Sequence, residues 1–407
     1  MWKFNDDVEV ANVEPPNIFG FWRYFQRFSP FNCSKGPLQI PCAIFSVVII
    51  LAMGMRIAWL FWVAHSSFLS YGWGEQNVYV FLTIESISFL IAVVRMTSFG
   101  NMHRFEVDMG ALRTLRVKKR YNEFDNYALL NIPLIVIISF IGASIIGSAV
   151  YLLVNEKVVY GATHQSSWYY ILNFIVNIFC FYLQLLYLPI HVLINSAIRR
   201  EVDIFNMELE EALKEPKFET LKRFENRQIT ILNFSNDMNI NIGRLLNFSG
   251  FFTMMGFCSG AYIVASLRKK TDTLYFIFNI GLTVSAFITF ILLLIPQALV
   301  QEKLKKTGWM LFSSFSLQQT PEIFQTCRIM IDRSLHNRRA CTVIFMFDVT
   351  RKNIKRALFV IIHVVVIMII IYDFMEIPED IGSHLKGLTG LIGLKTPSLA
   401  GHNVTEG

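Results

Sequence analysis

Apolar residues in this 407-residue chain gather into seven long runs separated by polar segments. The runs cover about 42–64, 77–100, 128–154, 168–196, 245–267, 274–300 and 355–373. A hydrocarbon core of roughly 30 Å is crossed by about 20 helical residues, and each run is long enough to do so. In lipid the backbone must satisfy its own hydrogen bonds, so each run is expected to be a helix.

The polar connections alternate between short and long. The second half of 197–244 carries Leu221, Phe224, Ile231, Met238, Ile242 and Leu245 at helical spacing, leading into the fifth run. Pro216 interrupts the segment, which predicts one helix continuing the fourth span and another entering the fifth. Within 301–354, Ile323, Cys327, Ile329, Met330, Leu335 and Ile344 predict a further helix. The apolar stretch 341–347 is too short to cross a bilayer.

Charge orients this set. The segments 1–41, 101–127, 197–244 and 301–356 hold 29 of the 37 Lys and Arg, whereas the alternate connections and the end of the chain hold 6. Arg56 and Arg95 lie inside runs. The positive-inside rule therefore places residues 1–41 in the cytoplasm as an N-terminal tail and, after seven crossings, residues 374–407 outside. That orientation is opposite to a G-protein-coupled receptor. The predicted fold is thus an all-α polytopic membrane protein, with a seven-helix domain over 42–373 and cytoplasmic helices at 197–244 and 301–354.

Composition narrows the class further. Charged residues make up 16% of the chain against about 25% in soluble domains. The net charge of +7 sits in the cytoplasmic segments, which reads as membrane orientation and excludes a nucleic-acid-binding role. No apolar leader with a cleavage site precedes the first span, so that span is expected to serve as the targeting segment. None of the six cysteines falls in an outer loop, so no disulfide is expected. No spacing suggests a metal, and no motif suggests a cofactor or a catalytic site. The chain is read as a non-enzyme. Of the sequons at Asn32, Asn233, Asn247 and Asn403, only Asn403 lies outside the membrane on the glycosylated side.

Ionisable groups within spans are costly and mark function or fixed packing. Arg56 and Glu85 lie in neighbouring spans and are expected to pair. Arg95 is near an inner end and can snorkel, and His191 follows Pro189 in what is expected to be a packing role. Tyr79, Glu85, Tyr151, Tyr170, Asn173, Tyr262 and Asn279 occupy outer halves and are candidates to line a ligand pocket, although an interfacial aromatic belt also places Tyr there. The seventh run, residues 361–374, is almost wholly aliphatic before Tyr372, Asp373 and Phe374. Apolar rings can close a pore by dewetting, and carboxylates at a pore mouth concentrate cations. A lipid-facing span with boundary Tyr and Asp fits the same pattern.

Seven spans, an inner N-terminus, short outer loops and long inner helices resemble the insect chemoreceptor superfamily, in particular its gustatory-receptor-like members and the nematode serpentine receptor class r branch. The sequence motif lies in the last fifth. Phe345-Met346-Phe347-Asp348 resembles the family's F-x-h-D-like element. The segment from Val366-Ile367 to Asp373-Phe374 stands where the family carries T-Y-x5-Q-F, with Phe retained and Gln replaced by Asp. The resemblance implies a chemosensory receptor of the plasma membrane, acting as a ligand-gated, non-selective cation channel. It implies homo- or hetero-tetramers joined by the cytoplasmic helices and the seventh span, with Val366 and Ile370 as gate candidates and Asp373 lining the outer pore. The stimulus would be a small molecule. A G-protein-coupled serpentine chemoreceptor and a non-conducting modulatory subunit remain the alternatives.

Overall fold

The computed structural model describes residues 17–66, 71–117, 127–154, 167–238, 244–267, 273–314, 320–335, 342–343, 347–348 and 349–375. After a short helix α1 (Phe21–Arg27) come α2 (Gln39–Ser66), α3 (Tyr71–Ser98), α4 (Asn101–Thr114) and α5 (Ala128–Val154). They are followed by α6 (Ser167–Ala212), α7 (Phe218–Met238), α8 (Arg244–Leu267), α9 (Thr273–Ser313) and α10 (Pro321–Leu335). A small hairpin, β1 (Thr342–Val343) and β2 (Phe347–Asp348), precedes α11 (Arg351–Met375).

Six helices, α2, α3, α5, α6, α8 and α9, are long and apolar enough to span a bilayer among the described residues. The apolar run of α11 supplies the seventh span. The helix α3 is the hub, packing on α2, α6 and α8. Two-thirds of its apolar window is buried (67%), against 22% for α2, so α2 lies at the rim. Small residues set the closest approaches, as expected where lipid offers no hydrophobic drive for association. A Cβ on Gly260 of α8 would stand 2.5 Å from Thr283 Oγ1 on α9, and one on Gly281 of α9 would stand 2.9 Å from Ser144 Oγ on α5.

The two long helices cross the membrane and continue beyond it. The α6 and α9 extensions pack with α7 and α10 into a collar at the basic, cytoplasmic end. Pro216 falls in the turn between α6 and α7, as its missing amide requires. Leu221, Phe224 and Ile231 are buried as their spacing predicts, and so are Ile323, Cys327 and Met330 of α10. The side chain of Met238, and residues Ile242 and Leu245, lie outside the described side chains.

Four charges are buried at the centre of this collar. Arg116 donates from Nε and Nη2 to Glu201 Oε2 at 2.9 and 2.7 Å. Arg227 donates to Glu201 Oε1 at 2.7 Å and also to Glu208. All four side chains are at most 4% exposed. They tie the end of α4 to α6 and α7, and each charge meets an opposite one, which is what allows them to be buried.

Three features depart from the sequence reading. The segment 101–127, read as a loop, holds α4, which packs on α3 and α7. Hydropathy missed it because its inner face is short: Phe105, Met109 and Leu112. Part of the stretch read as a tail is built into the fold. Ile18, Phe19, Trp22 and Phe31 are buried, Phe19 packs on Phe105 at 5.7 Å, and Trp22 Nε1 donates to Asn131 Oδ1 at 3.1 Å. The helix expected through Ile344 ends at Leu335, and the following β-branched and aromatic residues form the hairpin. Asp348, from the motif-like element, pairs there with Thr342.

Candidate functional site

Two polar constellations lie inside the bundle. The first surrounds Arg56, which is only 5% exposed on α2. Its guanidinium donates to Thr83 Oγ1 at 3.1 Å, to Asn177 Oδ1 at 2.8 Å and to Asn173 Oδ1. It also lies over the Tyr79 ring, 5.4 Å from the centroid. The Tyr79 hydroxyl is 3.0 Å from Ser148 Oγ, joining α5 to this network. The expected Arg56–Glu85 pair is not formed: among the described residues no ion pair joins them. Side-chain amides of α6 and the Thr83 hydroxyl of α3 take its terminal nitrogens instead, and Nε has no partner among the described residues. Their rotation toward α2 was not readable from hydropathy.

The second constellation contains Glu85. With Gln184 of α6, Thr253 of α8 and Ser285 and Thr289 of α9, it lines a cavity of about 30 Å³ whose remaining wall is apolar. That volume holds a water molecule or two. Glu85 Oε1, Gln184 Oε1 and Ser285 Oγ are buried and have no hydrogen-bond partner among the described residues. The Thr253 hydroxyl is turned to the Ser249 carbonyl at 2.7 Å. Buried polar atoms ordinarily find partners, so three orphans on one cavity indicate a place built for a polar guest.

Of the residues suggested as a pocket, Glu85 alone lines this cavity. Tyr79 and Asn173 serve Arg56. Tyr151 stacks on Tyr275, with centroids 5.2 Å apart. Asn279 donates to the Tyr275 carbonyl one turn earlier at 2.9 Å. Tyr262 is half-buried on α8, and the side chain of Tyr170 lies outside the described residues. Gln184, Thr253, Ser285 and Thr289 were missed. Uncharged polar residues are common in spans, and only helix rotation shows that these four converge. His191 has the packing role expected: Nε2 donates to the Leu293 carbonyl at 3.0 Å, and the ring stacks near Tyr187.

On α11, Ile354, Ile361 and the partly buried Leu358 and Val365 face the bundle, packing against α8 and α9. Val366 and Ile370 lie on the other side and are 48% and 60% exposed. His363 Nδ1 is 2.7 Å from the Phe359 carbonyl. The side chain of Asp373, and Asn403, lie outside the described residues.

A bundle of membrane-spanning helices, two of them prolonged into a collar, is a fold shared with a solved insect receptor. The structure superposes on olfactory receptor OR5 of the insect Machilis hrabei with a TM-score of 0.62 at 10% identity, covering 85% of this chain and 96% of that one. Against the same receptor in complex with eugenol the TM-score is 0.66 at 10% identity, with 86% and 97% covered. The expected resemblance to the insect chemoreceptor superfamily therefore holds at the level of the fold. By sequence, residues 18–365 match the model of a Caenorhabditis protein family of unknown function, DUF267, and the chain belongs to that family. No curated protein matches it.

Proposed function

We propose that this chain is a gustatory-receptor-like chemosensory receptor of the plasma membrane that is itself a ligand-gated, non-selective cation channel. The observation that carries the reading is the fold match, which extends over 96–97% of the insect receptor and 85–86% of this chain. In this reading four chains assemble through the collar helices and α11. The outward apolar face of α11, with Val366 and Ile370 one turn apart, would form the closed gate, and Asp373 would lie at the outer mouth. A small molecule entering from the outer half would have to widen the cavity at Glu85, which at about 30 Å³ holds only a water or two, and the orphaned oxygens favour a guest that brings hydrogen-bond donors.

The test is electrical and structural together. The chain, expressed alone and shown to be at the cell surface, is screened with small amines and alcohols while membrane current is recorded. Evoked cation current, reduced cation preference in Asp373→Asn and accessibility of Ile370→Cys to charged thiol reagents would support the reading. A surface-delivered protein that runs as a monomer and carries no current under any stimulus would replace it with a modulatory or non-conducting role.

A further inference from the structure

A separate cleft opens at the cytoplasmic end, where α6, α9 and α11 leave the bundle. It encloses about 820 Å³ and is lined by Arg199 of α6, Lys303, Lys305 and Lys306 of α9, and Arg351 and Lys352 at the start of α11. These six cations come from segments more than a hundred residues apart in sequence at the extreme, and the fold brings them to one concavity.

Three of them are already compensated. Arg351 pairs with Glu302 at 3.0 Å, Lys303 with Asp203 at 2.6 Å, and Arg199 lies 3.9 Å from the same Asp203. Lys305, Lys306 and Lys352 have no ion-pair partner among the described residues. Glu302 also lines the cleft, engaged by Arg351, so the lining stays strongly net positive, and a concave low-dielectric wall focuses that potential. Such a cleft favours a multivalent anion.

Its depth selects the kind of anion. On α9 the apolar stretch ends near Pro296, and Ala298 and Leu299 form the upper wall of the cleft. On α11 the apolar stretch begins just beyond Arg356. Charge and apolar span surface therefore meet at the cleft, which is where the phosphate headgroups of a bilayer would lie. Trp309, 62% exposed on the same wall, adds the amphipathic ring found at such boundaries.

We propose that this cleft binds the phosphorylated headgroup of an anionic lipid of the inner leaflet, with Lys305, Lys306 and Lys352 as its principal contacts. A phosphate chemistry shared with soluble polyphosphates is distinguished by whether a bilayer is needed. The site is independent of whether the chain conducts ions.

The experiment uses the purified full-length chain in detergent. Its thermal midpoint is followed against vesicles of phosphatidylcholine alone, of phosphatidylcholine with phosphatidylserine, and of phosphatidylcholine with a phosphatidylinositol bisphosphate, with soluble inositol trisphosphate as a further arm. Wild type is expected to be stabilised most by the phosphoinositide vesicles, and less at high salt. The triple variant Lys305→Gln, Lys306→Gln, Lys352→Gln should bind about a hundredfold more weakly, given the contribution of each basic side chain at an anionic surface. Lys35→Gln, Lys214→Gln, Lys217→Gln removes equal charge from exposed positions elsewhere and should bind as wild type does. Equal binding by the two triple variants would overturn the site. Equal protection by the soluble headgroup would overturn the lipid assignment. A changed native mass without any lipid effect in the first variant would also overturn it, making the cleft an interface between copies.

Discussion

Replacing Glu201 with Gln removes the one carboxylate shared by two buried arginines while keeping its shape. Arg116 and Arg227 would then be left at the centre of the collar with Glu208 as the remaining carboxylate of the group. Breaking a buried pair by neutralising one partner typically costs about 3–5 kcal/mol, because the other charge stays desolvated. At about 2.1 cal/mol/K of unfolding entropy per residue, 407 residues correspond to about 0.85 kcal/mol/K, so the midpoint should fall by roughly 4–6 °C. Spans that stay helical in detergent contribute less entropy, which makes this shift a minimum. The assay is the loss of the monodisperse size-exclusion peak of fluorescently tagged protein after heating. Because the group is buried, the shift should persist in molar salt, where exposed pairs are screened. The double variant Arg116→Met, Glu201→Met should recover part of the loss, with a coupling of about 0.5–3 kcal/mol. A shift below about 1 °C for Glu201→Gln, on the scale above, would show that water reaches the group and that the collar is held by its apolar contacts alone.

Further outcomes test other parts of the structure. Burial pushes the Glu106 carboxyl above its ordinary value of 4.5, against the pull of Arg23 and His103. Its ionisation in the folded protein therefore costs stability, which is present below 4.5 and lost as pH rises toward the folded value. Glu106→Gln should raise the midpoint at neutral pH, and its advantage over wild type should vanish on acidification; a constant difference across that range would refute the assignment. Gly260→Ala forces a Cβ to within 2.5 Å of Thr283 Oγ1 and should cost about 1–3 kcal/mol in the same melting assay, partly restored by Thr283→Ala. Glu85→Leu should leave the fold intact, since it removes an unpaired buried oxygen. It should lower the potency of any agonist that hydrogen-bonds to this carboxyl by up to about tenfold, the worth of one hydrogen bond, in dose–response recordings.

The site was only partly legible in the sequence. Glu85 stood out because a carboxylate at bilayer depth has few innocent explanations. Its neighbours Gln184, Thr253, Ser285 and Thr289 carry no such signal, and two of the aromatic candidates, Tyr79 and Tyr151, pack on Arg56 and Tyr275. The presumed Arg56–Glu85 pair failed for the same reason. Two residues on adjacent spans can be at similar depth and still point to different neighbours, and here α6 presents Asn173 and Asn177 to the arginine.

The number of spans, their orientation and the existence of amphipathic extensions beyond the membrane were determined by the sequence alone. Each depends on a one-dimensional quantity: the length of an apolar run, the side on which Lys and Arg accumulate, or the spacing of apolar residues along one helix. The rotation of each helix about its axis was decided only by the tertiary packing. That rotation brings three orphaned oxygens onto one cavity, gathers Arg116, Glu201, Glu208 and Arg227 into one buried group, and leaves three lysines of the cytoplasmic cleft without an ion pair among the described residues. Hydropathy cannot register these meetings, because polar side chains from distant segments find one another through the fit of whole helices rather than through any pattern along the chain.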